Sequence, residues 1–162
     1  MTKTLQTDAL GDKIDPQWLT SAQDILCHHF ADQTLLFAAL THASRAGPQS
    51  SYERLEFLGD RVLGLVLTDY LVRHFPHADQ GELTKRYHHL SHEAALAQIC
   101  QRLSLQRFIL HAAFQTGLSE RESVQSDIIE AVIAALYLDG GLEVARQFIL
   151  TNWTIPDQLP TQ

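Results

Sequence analysis

Apolar residues recur at helical spacing through most of the chain, and no segment shows the sustained alternation that is typical of a β-strand. The first helix is predicted to begin at Asp15-Pro16, because an N-cap residue followed by proline is typical of a helix start. The fold class is therefore predicted to be all-α. The helical patterns cover about 16–30, 32–40, 51–75, 80–103, 119–139 and 142–153.

The longest pattern, 51–75, is apolar on more than one face. A helix that is apolar nearly all round normally lies at the centre of its domain. Gly59 and Gly64 each cost about 1 kcal/mol in a helix interior. Their presence therefore favours close approach by another helix.

Local signals place several helix ends. Capping boxes, in which two side chains satisfy free backbone N–H groups, are predicted at Asp79–Glu82 and Ser119–Glu122. The pattern after the first box weakens near Ser91, which indicates a break. Asp139-Gly140-Gly141 is typical of a helix end.

The composition is that of one globular domain: 162 residues, 45% hydrophobic, with a net charge of −7. It excludes extensive disorder, and also a protein that holds nucleic acid by bulk positive charge alone.

Cys27 and Cys100 lie far apart without metal-ligand spacing, which indicates a reducing compartment. Every apolar run is shorter than the roughly 20 residues that cross a bilayer. We expect a cytoplasmic protein without a membrane partner, with a flexible lead-in at 1–15, a helical domain at 16–155 and a polar tail at 156–162.

The most informative feature is a set of acids within apolar helical segments. Glu53, Glu56 and Asp60 share one helix face by their spacing of three and four, as do Asp127 and Glu130. Burial of an unpaired carboxylate is costly, so these groups need partners. Acids that converge from two packed helices form the oxygen-rich site that Mg²⁺ or Mn²⁺ prefers. Spacing alone favours a metal site and a structural ion-pair network equally.

Three of these acids also have simpler interpretations. Glu53 can complete a capping box with Ser50. Glu56 can lie on a solvated stripe, and Asp127 can interact with the positive end of a helix dipole. The other two acids are closely flanked by apolar residues, which favours a specific partner for each. They are Asp60 and Glu130.

The segment 53–63, with the sequence ERLEFLGDRVL, resembles the signature of the ribonuclease III endonuclease domain, bacterial type. The likeness extends over roughly 17–153. Supporting segments follow in the family's order: ALTHAS at 39–44, Phe75-Pro76 with GELT at 81–84, RESVQSDIIEA at 121–131 and YLDGG at 137–141.

The resemblance implies an endoribonuclease that hydrolyses double-stranded RNA with a divalent metal, leaving 5′-phosphates and short 3′ overhangs, in RNA processing. By motif match Glu56, Asp60, Asp127 and Glu130 are the expected metal ligands, with Asp60 and Glu130 catalytic. Glu53 matches an accessory acid. The expected cofactor is Mg²⁺, with Mn²⁺ as a substitute.

The family acts as a homodimer with the signature helix at the interface. This agrees with a 51–75 helix that is too apolar for one small domain to cover. Phe57 and Leu58 are the interface candidates, and the alternative for both is ordinary core.

The sequence departs from the family in three places. Gln80, a further accessory candidate, stands where an acid is usual in the family. An amide keeps hydrogen bonding but loses the charge, so we expect a weakened or retuned site. The alternative is that Gln80 is an ordinary helix residue. The segment 110–119 lacks the glycine-rich basic loop of many relatives. The sequence also ends before the double-stranded-RNA-binding domain of the typical enzyme. The two explanations are truncation and a one-domain enzyme, and in either case we expect weaker affinity for RNA.

A basic segment offers a place to hold RNA. Residues 70–111 carry five Lys or Arg against three Asp or Glu. The candidate RNA-facing patch is Lys85, Arg86, His88 and His89, and the alternative is a solvated helix face.

The alternative function for the whole chain is a catalytically idle dimer of the same fold that binds RNA or the ribosome. Retention of all four acids favours the enzyme.

Overall fold

The computed structural model describes residues 6–7, 13–14, 16–46 and 52–157. Within these residues the regular structure is almost entirely helical, which confirms the all-α prediction. Two 3₁₀ turns, Leu105–Phe108 and Leu118–Glu120, join the longer elements. The helices are α1 Pro16–Leu26, α2 Gln33–Ala39, α3 Ala43–Ala46, α4 Glu53–His74, α5 Gln80–Ser91, α6 Glu93–Arg102 and α7 Glu122–Asn152.

A short strand pair precedes α1 and was not predicted. Strand β1, Gln6–Thr7, pairs antiparallel with β2, Lys13–Ile14. The rest of the predicted lead-in, with the N-cap at Asp15, lies outside the described residues, as do Ser50 and positions 158–162 of the predicted tail.

Helices α4 and α7 form the centre of the domain. In α7 every side chain from 128 to 136 is buried except the half-buried Glu130. A side chain at Gly59 of α4 would collide with the α7 backbone at Glu130, which confirms close helix approach there. Gly64 instead faces the hydroxyl of Tyr87. The acid-bearing turns of α4 and α7 are therefore held against each other.

Most of the local signals are confirmed. The Asp79 side chain accepts the N–H of Glu82 at 2.8 Å, and His92 separates α5 from α6 as the weakened pattern indicated. The backbone of α7 breaks at Gly141, where φ is 82° and ψ is 179°. This left-handed conformation favours glycine.

Two predicted boundaries are wrong. Helix α1 ends at Leu26 and not near Phe30. Ser119 does not cap the following helix, since it lies in a 3₁₀ turn and α7 begins at Glu122 after Arg121. The carbonyl oxygen of Ser119 accepts a bond from the Gln125 side chain instead, at 2.8 Å.

Among the described residues, none of the helices combines the length and the apolar character that crossing a membrane requires.

Candidate metal centre

Three acids from the two central helices converge on one point. Glu56 lies in the first turns of α4, and Asp127 and Glu130 lie one turn apart on α7. One carboxylate oxygen from each lies within 4.8 Å of the other two, and all three residues are half-buried. Spacing predicted that the acids of each helix share one face, and packing of α4 on α7 brings the two faces together.

Burial and the charges of neighbouring acids raise the pKa of each acid in the cluster. The effect is largest for Glu130, whose pKa rises to about 8 through burial first and then the charges of Asp60, Glu56 and Asp127. Burial also leads the upward shifts in the pKa of Glu56 and of Asp127. Full ionisation of the three acids is therefore energetically costly without a cation.

The donor set fits a divalent cation. Within the part of the chain that the structure describes, no lysine or arginine forms an ion pair with Glu56, Asp127 or Glu130. Carboxylate oxygens are the ligands that hard divalent cations prefer. A cation bound among them would offset the repulsion that raises the three pKa values.

Asp60 borders this cluster without being one of its three members. Its Oδ2 accepts a bond from Arg61 at 2.9 Å, and the Arg61 guanidinium lies 3.9 Å from the centre of the Phe57 ring. The charge of Asp60 nevertheless contributes to the raised pKa of Glu130. Asp60 is therefore close enough to act on the cluster electrostatically.

Glu53 is exposed at the start of α4. Its charge contributes to the raised pKa of Glu56 and of Asp127. It therefore lies close enough to the cluster to act on it electrostatically.

Sequence reasoning missed Tyr52, which immediately precedes α4. Its hydroxyl donates a hydrogen bond to Oδ2 of Asp127 at 3.2 Å. No local signal pointed to it, because the helical pattern was predicted to begin at about 51 and the bond joins residues 75 positions apart.

The predicted RNA-facing patch is only partly exposed. Lys85, His88 and His89 are exposed on α5, but Arg86 is buried. The Arg86 guanidinium binds Glu82 at 2.9 Å and stacks on the Phe75 ring at 3.8 Å. It also donates to the carbonyl oxygens of residues 156 and 157. Arg86 is therefore a structural residue, and its predicted place in an RNA-facing patch is wrong.

The structure does not bring Gln80 to the acids. It lines an apolar groove with Thr68 and Leu71 of α4. Thr68 lies eight residues beyond Asp60, or about 12 Å along the helix.

The two interface candidates differ in exposure. Phe57 is 64% exposed. Leu58 is half-buried and packs against the core.

Comparison with known proteins places this geometry in context. A family model described as Ribonuclease-III-like matches residues 32–156. The chain is 48% identical over 134 residues to Ribonuclease 3 of Rhodopseudomonas palustris, covering 80% of this chain and 49% of that protein. It is also 48% identical over 130 residues to Ribonuclease 3 of Mesorhizobium japonicum, covering 78% and 59%. The chain thus spans about half the length of the curated relatives it matches.

A solved structure has the same architecture. The nuclease domain of ribonuclease III from Campylobacter jejuni superposes with a TM-score of 0.77 at 38% identity, covering 82% of this chain and 94% of that chain. That domain is described as having a region involved in dimer formation. The similarity therefore extends over most of both domains.

Proposed function

The chain belongs to the ribonuclease-III-like family, and from that membership we propose that it hydrolyses phosphodiester bonds in double-stranded RNA. The observation that carries the proposal is the convergence of Glu56, Asp127 and Glu130 within 4.8 Å. These acids lie in two of the segments that resemble the family, 53–63 and 121–131. Their clustering favours an active nuclease over an idle RNA-binding module, for which the acids would be a cost without a use.

We propose the following roles for the acids. Glu56, Asp127 and Glu130 would hold the metal, with Asp60 joining them from the edge of the cluster. Glu130 and Asp60 are the proposed catalytic acids. Burial and the charges of Asp60, Glu56 and Asp127 raise the pKa of Glu130 to about 8, so a bound cation would strongly stabilise its ionised form. A divalent ion bound there would lower the pKa of water and neutralise charge on the phosphate.

The finer assignments are also proposals. Mg²⁺ is the proposed metal, with Mn²⁺ as its substitute, because the donors are all hard oxygens. The products are 5′-phosphates and short 3′ overhangs, as family membership implies. Lys85, His88 and His89 remain the proposed RNA-facing residues, since they are exposed on one helix. The proposed setting is RNA processing in the cytoplasm.

A homodimer is the proposed functional unit. Phe57 is 64% exposed on the helix that carries Glu56, and a large exposed aromatic side chain is typical of a protein interface. Leu58, the other interface candidate, would contribute its exposed part to this contact while the rest of its side chain packs against the core.

The test uses purified protein, long duplex RNA and Mg²⁺. We expect cleavage by the wild-type chain and a loss of about 100-fold or more in Glu130→Gln, because the metal supplies several kcal/mol of transition-state stabilisation. Glu122→Gln is the matched control: Glu122 is an exposed acid in the first turn of the same helix. This variant should cleave like the wild type.

Three results would contradict parts of the proposal. Cleavage by Glu130→Gln at the parental rate would overturn the site assignment. Binding of duplex RNA without cleavage by the wild type would favour the idle module. Cleavage that persists in a chelator would exclude the metal.

A further inference from the structure

Tyr52 links the start of α4 to α7 at the acid cluster. The residue is 5% exposed, and its hydroxyl reaches Oδ2 of Asp127 across 75 positions of sequence. We propose that Tyr52 is a positioning residue that fixes the Asp127 carboxylate for metal binding. The inference rests on the proposed function in one respect, that the cluster holds a divalent metal.

The main chain of Tyr52 is fixed on both sides. Its N–H donates to the carbonyl oxygen of Thr41 at 3.1 Å, and its own carbonyl oxygen accepts the N–H of Glu56 at 2.8 Å. Tyr52 thus contacts two of the three members of the cluster, Glu56 through the backbone and Asp127 through the side chain. A shift of Tyr52 would disturb both.

The ring of Tyr52 has a rigid support. It packs against His42 with 5.5 Å between ring centres. The Nδ1 atom of His42 accepts the backbone N–H of Ser44 at 3.0 Å, and the Ser44 hydroxyl oxygen accepts the N–H of Ala112 at 3.2 Å. Burial lowers the pKa of His42, which favours the neutral form of this support.

The phenol is suited to hold a carboxylate. The Tyr52 hydroxyl donates its hydrogen bond to Oδ2 of Asp127 at 3.2 Å from a residue that is almost fully buried. A carboxylate has two oxygens with several lone pairs, so a bond to Oδ2 leaves capacity for a metal. Hydrogen bonds of this kind orient metal ligands, and their loss typically weakens metal affinity about 10–100-fold.

The test removes the hydroxyl and keeps the ring. Tyr52→Phe should bind Mn²⁺ about 10-fold more weakly than the wild type by calorimetry. Cleavage of duplex RNA should recover as Mn²⁺ is raised, because the change affects metal affinity more than the maximal rate. Tyr137→Phe is the matched control. Tyr137 is a half-buried tyrosine of α7 that lies about 15 Å beyond Asp127 along that helix. Its Mn²⁺ affinity should match the wild type.

The outcomes separate this inference from the proposed function. A loss of Mn²⁺ affinity of about threefold or more in Tyr52→Phe supports the positioning role, and a smaller loss overturns it. Absence of RNA cleavage by the wild type would overturn the proposed function alone. If Tyr52→Phe does not fold, a crystal structure of the wild type with Mn²⁺ replaces it. In that structure, a hydrogen bond from the Tyr52 hydroxyl to an Asp127 carboxylate that binds Mn²⁺ supports the role, and any other arrangement overturns it.

Discussion

A Cβ atom on Gly59 would lie 1.8 Å from the backbone carbonyl oxygen of Glu130. Real Cβ atoms do not approach backbone atoms so closely, so only glycine allows α4 to contact α7 here. The contact also sets the separation between the Glu56 turn and the Glu130 turn. One glycine thus determines both the packing of the two central helices and the geometry of the acid cluster.

Gly59→Ala should therefore damage both stability and the site. The added methyl group meets backbone, which cannot move aside cheaply, and we expect a loss in the free energy of unfolding of about 3 kcal/mol or more. Urea denaturation measures this loss. Gly64→Ala is the control, since its Cβ meets only the Tyr87 hydroxyl, at 3.2 Å. Equal losses in the two variants would contradict the explanation.

The features that sequence predicted well depend on local spacing. The Asp79 cap is fixed within one helical turn, and the shared face of Asp127 and Glu130 follows from helix periodicity alone. Their convergence with Glu56 required only that two apolar helices pack together. Sequence therefore predicted that acids of the two helices meet, but it did not exclude Asp60 from the cluster and gave no information on the distances.

The features that sequence missed depend on contacts between distant residues. Arg86 reads as an exposed cation, yet it is buried because carbonyl oxygens about 70 positions later accept its N–H groups. The bond from Tyr52 to Asp127 spans 75 positions. No local pattern encodes either partner. Asp60 was missed for another reason: it was expected inside the cluster, but its carboxylate pairs with the adjacent Arg61, and spacing does not decide between two possible partners.

The raised pKa of Glu130 predicts that the metal-free protein loses stability as the pH rises. The pKa of this carboxyl is near 4.5 when unperturbed and about 8 in the folded chain. Between these values the folded state holds a proton that the unfolded state has released. The free energy of unfolding should therefore fall from about pH 5 to about pH 8.

Denaturation of chelator-treated protein across this pH range measures the effect, and Glu130→Gln should show a flatter profile. Because bound metal requires the ionised carboxylate, Mn²⁺ should bind more tightly at higher pH and release protons on binding. Identical pH profiles for the wild type and Glu130→Gln would contradict the assignment of the raised pKa.

Asp139 joins the C-terminal part of the domain to the segment between α1 and α2. Its Oδ1 accepts the N–H of Asp32 at 2.8 Å, and its Oδ2 accepts the N–H of Ala31 at 3.1 Å and lies 2.7 Å from Nε2 of His28. Asp139→Ala removes all three partners and should lower the free energy of unfolding by about 2 kcal/mol or more. Asp139→Asn retains one acceptor oxygen and should lose less. An Asp139→Ala variant as stable as the wild type would show that this connection is dispensable.

Phe57 provides a test of the proposed dimer. A symmetric interface would bury the ring once in each protomer, and full burial of a phenylalanine contributes about 1.5–3 kcal/mol. Phe57→Ala should therefore raise the dissociation constant of the dimer roughly 100-fold or more, measured by sedimentation. Phe114→Ala is the control, because Phe114 is 80% exposed but lies outside α4. It should leave the association unchanged, and an equal effect of both substitutions would place the interface elsewhere.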